Sequence, residues 1–289
     1  MLIAAIALAQ TNSQPEPINI LAWNIWRGGN EAMDAKDPGV KAGKQDQIVR
    51  VIRDSKSDAV AMVETYGSGQ VIAHGLRYHF HPRGTNVAIF SRWPVKKDIS
   101  VYKEFNCVGA LIERPDGRQF ALYSVWIHYV DDIWTDPASR KGRTAEDLLA
   151  KDGDSRKVEI KAILDGIEEK MKEHPGVPLI LAGDFNSNSH LDYVAAARDQ
   201  FKGLQVAWPV TAAVEKAGFR DSYRELNPII NRMVDRTWSP RFPEQEQDRI
   251  DFIYAKGPIN PKSSRVIDRT NGQWPSDHAA VQTVFEWSH

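Results

Sequence analysis

Cysteine is almost missing from this chain: Cys107 is the single one in 289 residues. That excludes an intrachain disulfide and any metal site built from several thiolates. Its neighbours, Cys107-Val108-Gly109-Ala110-Leu111-Ile112, are apolar, so the thiol is expected to be a small buried hydrophobe. An excess of either charge is also lacking. With 37 basic and 38 acidic residues the formal charge is −1, so no global positive field draws in a polyanion. This weighs against an enzyme that tracks duplex DNA, although a local basic patch would escape such a sum. No apolar run reaches the length of a membrane span. Repeats, low-complexity tracts and breaks in composition are absent as well. What is present, 42% hydrophobic and 26% charged residues, is ordinary for a globular α/β protein, and a single domain over 18–289 is the economical organisation.

Residues 1–17 differ from the rest. Met1 to Ala9 is almost wholly apolar, Gln10 to Pro17 is polar, and Ala7-Leu8-Ala9 has the small-x-small form of a cleavage site. The stretch reads as a secretory signal followed by a short linker, so export to a periplasm or the outside is expected. It is short and starts without Lys or Arg, as a mis-assigned start codon would also give. In that case the protein would be cytoplasmic.

Leu179-Ile180-Leu181-Ala182-Gly183-Asp184-Phe185-Asn186 organises the remainder. Four apolar residues running into Gly-Asp-x-Asn predict a buried strand whose end delivers Asp184 and Asn186 to one face, while Phe185 turns into the core. A carboxylate beside a carboxamide suits the orientation of a water molecule next to a metal-bound phosphate. Alone, the segment would equally be a surface turn, because Gly, Asp and Asn all form turns. Other strands repeat the arrangement. Ile18 to Trp26 predicts a strand with Asn24 near its carboxyl end, and Ala59 to Glu64 a continuous apolar strand ending in Glu64. Between them, Lys44 to Ser55 has helical spacing with Ile48, Val51 and Ile52 on one face.

Asn86 to Ser91, Cys107 to Glu113 and Gln119 to His128 read as further strands, with Pro115-Asp116-Gly117 as a hairpin turn and His128 at the end. Tyr129 to Gly153 is polar and irregular, the expected form of a loop over a site. Asp154 to His174 carries the stripe Ile160, Ile163, Leu164, Ile167 and Met171 of a helix, stopped by Pro175-Gly176. Short helices are expected over Asp192 to Arg198 and Val210 to Ala217. Asn227 to Glu246 reads as loop. Asp248 to Tyr254 is a strand that places Asp251 with Ile253, a costly position for an ionised carboxylate unless a cation or several donors meet it. Ser276-Asp277-His278 opens a last strand. Asp277 and His278 can serve one site only where the backbone turns at the strand's mouth.

The ordered set Asn24, Glu64, His128, Asp184 with Asn186, Asp251, and Asp277 with His278 resembles the endonuclease/exonuclease/phosphatase superfamily of metal-dependent phosphohydrolases, over Ile18 to Trp287. Gly183-Asp184-Phe185-Asn186 and Ser276-Asp277-His278 are the most specific marks, followed by Arg249-Ile250-Asp251-Phe252 and the strand end at Glu64. The resemblance implies an α/β four-layer sandwich of two packed mixed β-sheets flanked by helices, with the site at one edge of the sheets. Glu64 is then the first candidate for metal ligation, with Asn24 and Asp277 close by. Oxygen donors without a His or Cys cluster favour Mg²⁺, with Mn²⁺ or Ca²⁺ as substitutes. Asp184, helped by Asn186, would activate the attacking water, and His278, its ring fixed by Asp251, would contact the phosphate. His128 would hydrogen-bond the phosphate or the leaving oxygen. The choice of base between Asp184 and His278 stays open.

One departure stands out. Nuclease members similar to pancreatic deoxyribonuclease pair the His at the His128 position with an acid from the preceding sheet strand. Gly84-Thr85-Asn86-Val87 offers none. Arg27, His190, Trp238 and Arg249 are candidate substrate contacts. Trp26, Trp126, Tyr129, Trp134 and Trp274 are further aromatics placed to line the mouth or simply to pack loops. The expected substrate is a lipid, sugar or nucleotide phosphoester of modest size, hydrolysed by in-line attack of water. A secreted nonspecific nuclease is the alternative, and an inactive scaffold a more distant one. Nothing in the sequence demands a protein partner.

Overall fold

The computed structural model of the chain describes residues 15–29, 44–129, 143–153 and 155–288. The apolar stretch read as a signal, and residues 130–142 of the expected loop with Trp134, lie outside the described residues. The strands form two six-stranded sheets. One has the order Ile259–Ile267 (β11), Ala280–Trp287 (β12), Ile18–Asn24 (β1), Ala59–Val63 (β2), Val87–Ser91 (β4), His79–Arg83 (β3). The other runs Val95–Asp98 (β5), Cys107–Glu113 (β6), Gln119–Trp126 (β7), Leu179–Asp184 (β8), Asp251–Lys256 (β10), Arg220–Asp221 (β9).

Period-2 alternation explains how the sheets stack. Ile20 and Ala22, Ala61 and Val63, Ile180 and Ala182, Ile253 and Ala255 all point between the sheets and are fully buried there. The opposite faces are apolar too, because helices cover them. Ile160, Ile163 and Ile167 of Arg156–Met171 (α4) lie on Tyr123, Phe252 and Tyr254. Ile48 and Ile52 of Lys44–Ser55 (α1), with Ile72 of Gly69–Leu76 (α2), lie on Trp23 and Met62. The result is the four-layer α/β sandwich that the sequence led us to expect.

Strand direction positions the site. β2 runs parallel to β1, and β7 parallel to β8, so these strands send their carboxyl ends to one edge. β12 is antiparallel to β1, and β10 to β8, so these bring their amino ends to the same edge. Every candidate at a strand tip therefore arrives on one rim of the sandwich.

Some boundaries differ from the sequence reading. The segment expected to be irregular up to Gly153 contains the helix Ala145–Gly153 (α3). Thr144 and Asp147 explain it: Asp147 N–H donates to Thr144 Oγ1 at 3.2 Å, and Thr144 N–H to Asp147 Oδ2 at 2.8 Å. This is a capping box. Leu148 anchors the helix against Trp208. The helix read as Asp154 to His174 begins at Arg156, and a 3₁₀ turn over Ala195–Phe201 replaces the one expected from Asp192. β10 starts only at Asp251 and β12 only at Ala280, so Asp277 and His278 do sit in the turn before the strand. Asn227 to Glu246 is mostly loop, interrupted by the short helix Arg232–Asp235. Cys107 is buried as expected, and burial pushes its thiol up to about 12.

Candidate active site

The site is the place where the apolar filling between the sheets stops. Asn24 continues the inward series Ile20–Ala22, Asp184 continues Ile180–Ala182, and Asp251 precedes Ile253–Ala255 on the same face. All three are buried. Asp184 and Asp251 stand opposite each other across the β8–β10 ladder, which brings their carboxylates within a few ångströms. On its other side β8 lies close against β7, and Gly183 allows it. A Cβ at that residue would lie 2.1 Å from the Val125 carbonyl oxygen, and its φ of +137° is open to glycine alone.

A chain of hydrogen bonds joins these tips. Asn24 Nδ2 donates to Asp184 Oδ2 at 3.0 Å and to Glu64 Oε1 at 3.2 Å. Asn24 Oδ1 accepts from the Trp26 N–H at 3.0 Å, and Glu64 Oε2 from the Arg27 N–H at 2.8 Å. The left-handed backbone of Glu64 (φ 60°) turns its side chain back to this cluster, and Asn86 holds it there by accepting the Glu64 N–H at 3.0 Å. Asn186 N–H donates to Asp184 Oδ1 at 2.9 Å, and its amide bridges to the Ile127 carbonyl at 2.8 Å. His278 Nδ1 shares a proton with Asp251 Oδ2 at 2.9 Å, while Nε2 faces Asp184 Oδ2 at 3.9 Å.

Hidden supports fix the last pair. Thr237 Oγ1 accepts the N–H groups of Ile250 and Asp251, and its carbonyl accepts the N–H of Ala279. Ser276 Oγ donates to the Asn24 carbonyl at 2.7 Å and accepts the His278 N–H. The indoles of Trp23 and Trp274 both donate to the His278 carbonyl. Trp238 packs edge-on against the His278 ring, with centroids 4.9 Å apart.

The charges are mutually perturbing. Burial, then the Asp251 charge, pushes Asp184 up to about 7; His278 and the hydrogen bonds from Asn186 and Asn24 pull the other way. Burial also raises Asp277 to about 7, with His278 opposing and Glu64 adding to the rise. Burial disfavours the His278 imidazolium, yet Asp251 and Asp184 outweigh it and lift the ring to about 10. Asp184 therefore sits near neutrality while His278 is held as a cation.

The remaining candidates stand outside this hydrogen-bonded cluster. His128 projects from the end of β7 with its ring a third exposed, and Glu159 of α4 accepts from its Nδ1 at 2.7 Å and from its N–H at 2.9 Å. The acid missing from Gly84-Thr85-Asn86-Val87 is thus supplied by a helix. The sequence did carry a signal: Glu159 falls on the buried face of α4, among Ile160 and Ile163. Arg249 is not a substrate contact. It is buried, and Asp192 and Asp221 take its guanidinium from two sides. His190 is likewise occupied, by Thr211 and by Glu215 at 2.6 Å. Arg27 keeps an exposed side chain at the rim. Among the aromatics, Trp23 and Trp274 pack on each other, Trp126 on Phe105 and Trp26 on Phe242. Tyr129 is exposed.

The donor set fits a hard divalent cation. Four carboxylates (Glu64, Asp184, Asp251, Asp277) and one histidine crowd a rim, and Asp251 Oδ1 is buried without a hydrogen-bond partner. One ligand atom each from Asp184, Asp251 and His278 lies within 4.8 Å of the others. Of these, Asp251 Oδ2 and His278 Nδ1 are already committed to each other. Glu64 and Asp277, whose charges oppose each other across the rim, are the oxygen pair left to meet a cation.

Among the described residues no helix is long and apolar enough to cross a membrane. The chain is 27% identical to the uncharacterized protein F14F9.5 of Caenorhabditis elegans, over 91% of this chain and 90% of the other. Solved structures share its fold, among them the following three. An endonuclease/exonuclease/phosphatase family protein of Bacteroides thetaiotaomicron superposes with a TM-score of 0.63 at 17% identity, covering 96% of this chain and 100% of that one. The human Nocturnin catalytic domain with bound sulfate anion gives 0.61 at 16%, covering 96% and 97%. Truncated TDP2 of C. elegans gives 0.61 at 15%, covering 93% and 97%. The family model for the Endonuclease/Exonuclease/phosphatase family matches residues 21–278. The chain belongs to that family of divalent-metal-dependent phosphoester hydrolases, and is itself a hydrolase of phosphoric ester bonds.

Proposed function

We propose that this enzyme hydrolyses a phosphodiester or phosphomonoester of modest size, such as a lipid, sugar or nucleotide phosphoester, by in-line attack of water. The observation that carries the reading is the linked chain Glu64–Asn24–Asp184 meeting Asp251–His278 on one rim. Asp184, poised near neutrality and oriented by Asn186 and Asn24, takes the proton of the attacking water. His278, cationic and anchored by Asp251, offers Nε2–H to a phosphate oxygen. His128, oriented by Glu159, gives a hydrogen bond to the leaving oxygen. Glu64 and Asp277, with Asn24 alongside, would hold the divalent ion, Mg²⁺ with Mn²⁺ or Ca²⁺ as substitutes. When bound it supplies positive charge against the phosphate oxygens.

The test is a phosphoester panel with Mg²⁺, containing bis-p-nitrophenyl phosphate, sphingomyelin, sugar phosphates and plasmid DNA. Turnover of a small ester, lost with EDTA and in Asp184→Ala, is expected. Unimpaired turnover by Asp184→Ala would remove the proposed base. A nuclease is the second reading. The His128–Glu159 pair favours it, because it fills the place whose apparent vacancy argued against DNA cleavage. Salt-sensitive cleavage of plasmid DNA that outpaces every small ester would select it.

A further inference from the structure

At the end of the sandwich away from the catalytic rim, a cavity of about 640 Å³ opens between α4 and the helix Pro209–Lys216 (α5). Leu179 at the start of β8 and Lys256 at the end of β10 both border it, which places it at the opposite strand ends from Asp184 and Asp251. Small side chains keep it open: Ala213 of α5 and Ala217 just after it line the cavity with the larger Leu164, Ile167 and Met171 of α4. Phe219 adds an aromatic wall. The interior is apolar, and His174, whose buried Nε2 has no hydrogen-bond partner, is a polar exception among its lining residues.

Lysines outnumber acids on the rim. Lys157, Lys161, Lys172, Lys216 and Lys256 border the opening and are exposed, against the acids Asp165 and Glu168. Asp165 pairs with Lys161, and Glu169, just outside, pairs with Lys172. Lys157 and Lys216 stay uncompensated by any acid in the lining. In a chain whose formal charge is −1, so cationic a ring around an apolar interior is a local feature. An apolar interior takes a hydrocarbon chain, and a lysine rim takes an anionic head.

We propose that this cavity binds a single-chain anionic amphiphile as a free monomer, its alkyl chain lying between α4 and α5 and its head against the lysine rim. The site is separate from the catalytic rim and does not rest on the assigned phosphoester chemistry. A cavity this size accepts a chain of medium length, and its wall contributes affinity methylene by methylene.

The test is calorimetric titration of the full chain with dodecanoate below its micellar concentration. One equivalent is expected to bind. Decanoate should bind roughly tenfold more weakly, at the usual cost of two buried methylenes, and dodecanol more weakly than dodecanoate. Ala213→Phe, which fills the cavity, should abolish binding. Lys216→Glu, a surface change that leaves the interior intact, should weaken dodecanoate but not dodecanol. Melting curves and turnover of bis-p-nitrophenyl phosphate should be unchanged in both variants, which separates loss of this site from loss of fold or catalysis. Equal affinity of the wild type for decanoate and dodecanoate would overturn the proposal, as would unaltered binding by Ala213→Phe. So would binding confined to anionic vesicles, which would make this face a membrane contact, or self-association that Ala213→Phe abolishes, which would make it a dimer interface.

Discussion

His278–Asp251 and His128–Glu159 are the same two functional groups in different surroundings. In the first pair both side chains are enclosed, 5% and 1% exposed, and a second carboxylate, Asp184, faces the ring's other nitrogen. In the second, the carboxylate is hidden but the imidazole is 34% exposed and reaches solvent. Enclosure between two anions turns a histidine into a fixed cation, because the ring cannot lose its proton without leaving a buried charge uncompensated. A part-exposed ring with one anchored nitrogen keeps its orientation and turns its other nitrogen to solvent. The fold thus derives an enclosed donor and an outward-facing one from identical chemistry. What separates them is whether the side chain points between the sheets or out over α4.

The largest effect should come from the enclosed pair. His278→Ala is expected to lower kcat/KM roughly 10³-fold at saturating metal, the scale for losing a preorganised donor to a developing oxyanion. The loss should be similar for esters with good and poor leaving groups, because the ring addresses a phosphate oxygen that never departs. His128→Ala should cost about 10²-fold with an alkyl leaving group and far less with p-nitrophenolate, which needs no proton. Glu159→Gln should show the same leaving-group dependence in weaker form, since it relaxes the ring without removing it. Were both histidine variants to respond identically to leaving-group basicity, the proposed division of labour would be wrong.

Between these and the pH effect lies Glu64. Glu64→Gln keeps the size of the side chain and one of its two acceptor oxygens but removes one anion from the rim. The Mg²⁺ concentration for half-maximal turnover should rise roughly ten- to a hundredfold, with turnover largely recovered at saturation. Metal titrations followed by initial rate decide it; an unshifted midpoint would dismiss Glu64 as a ligand.

Much of this was legible before any coordinates. Strands that are apolar on both faces and end in Asn24 or Asp184 announce a covered sheet with polar tips, and the shared face of Asp251 and Ile253 follows from period 2 alone. What could not be read was anything set by partners distant in sequence. Glu159 lies in a helix whose register against β7 is a tertiary fact, so the sequence does not pair it with His128. Arg249 adjoins Asp251 in its motif, but it lies before β10 begins, where alternation no longer sets its direction and Asp192 and Asp221 enclose it. His190 misled in the same way: α5 folds back to supply Thr211 and Glu215. β3, which reads His79-Phe80-His81-Pro82-Arg83, escaped notice because an edge strand with one partner need not be apolar. α3 was missed for a local reason, an unrecognised capping box at Thr144 and Asp147.

The smallest predicted effect is on stability against pH, and it too separates the two pairs. In the metal-free protein the folded state raises Asp184 and Asp277 from their ordinary 3.8 to about 7, so it binds protons that the unfolded chain has already lost. Their stabilising contribution is complete only below pH 4 and disappears as pH rises through 7. His278, raised from 6.5 to about 10, loses its contribution between those values. Carboxylates held below their ordinary range, such as Asp98 and Asp147, act in the opposite sense, but their contribution is complete above pH 5. From pH 5.5 to 10 in EDTA, the Tm should therefore fall in two overlapping steps, and Mg²⁺ should restore more of it at pH 8 than at pH 5.5. Asp251→Asn should erase the upper step, whereas Glu159→Gln should leave it in place, because Asp251 and not Glu159 raises the enclosed histidine. A Tm that climbs through pH 7 in EDTA would mean that the rim carboxylates are already ionised without metal, and that the crowding of Asp184 against Asp251 is relieved by something other than a bound cation.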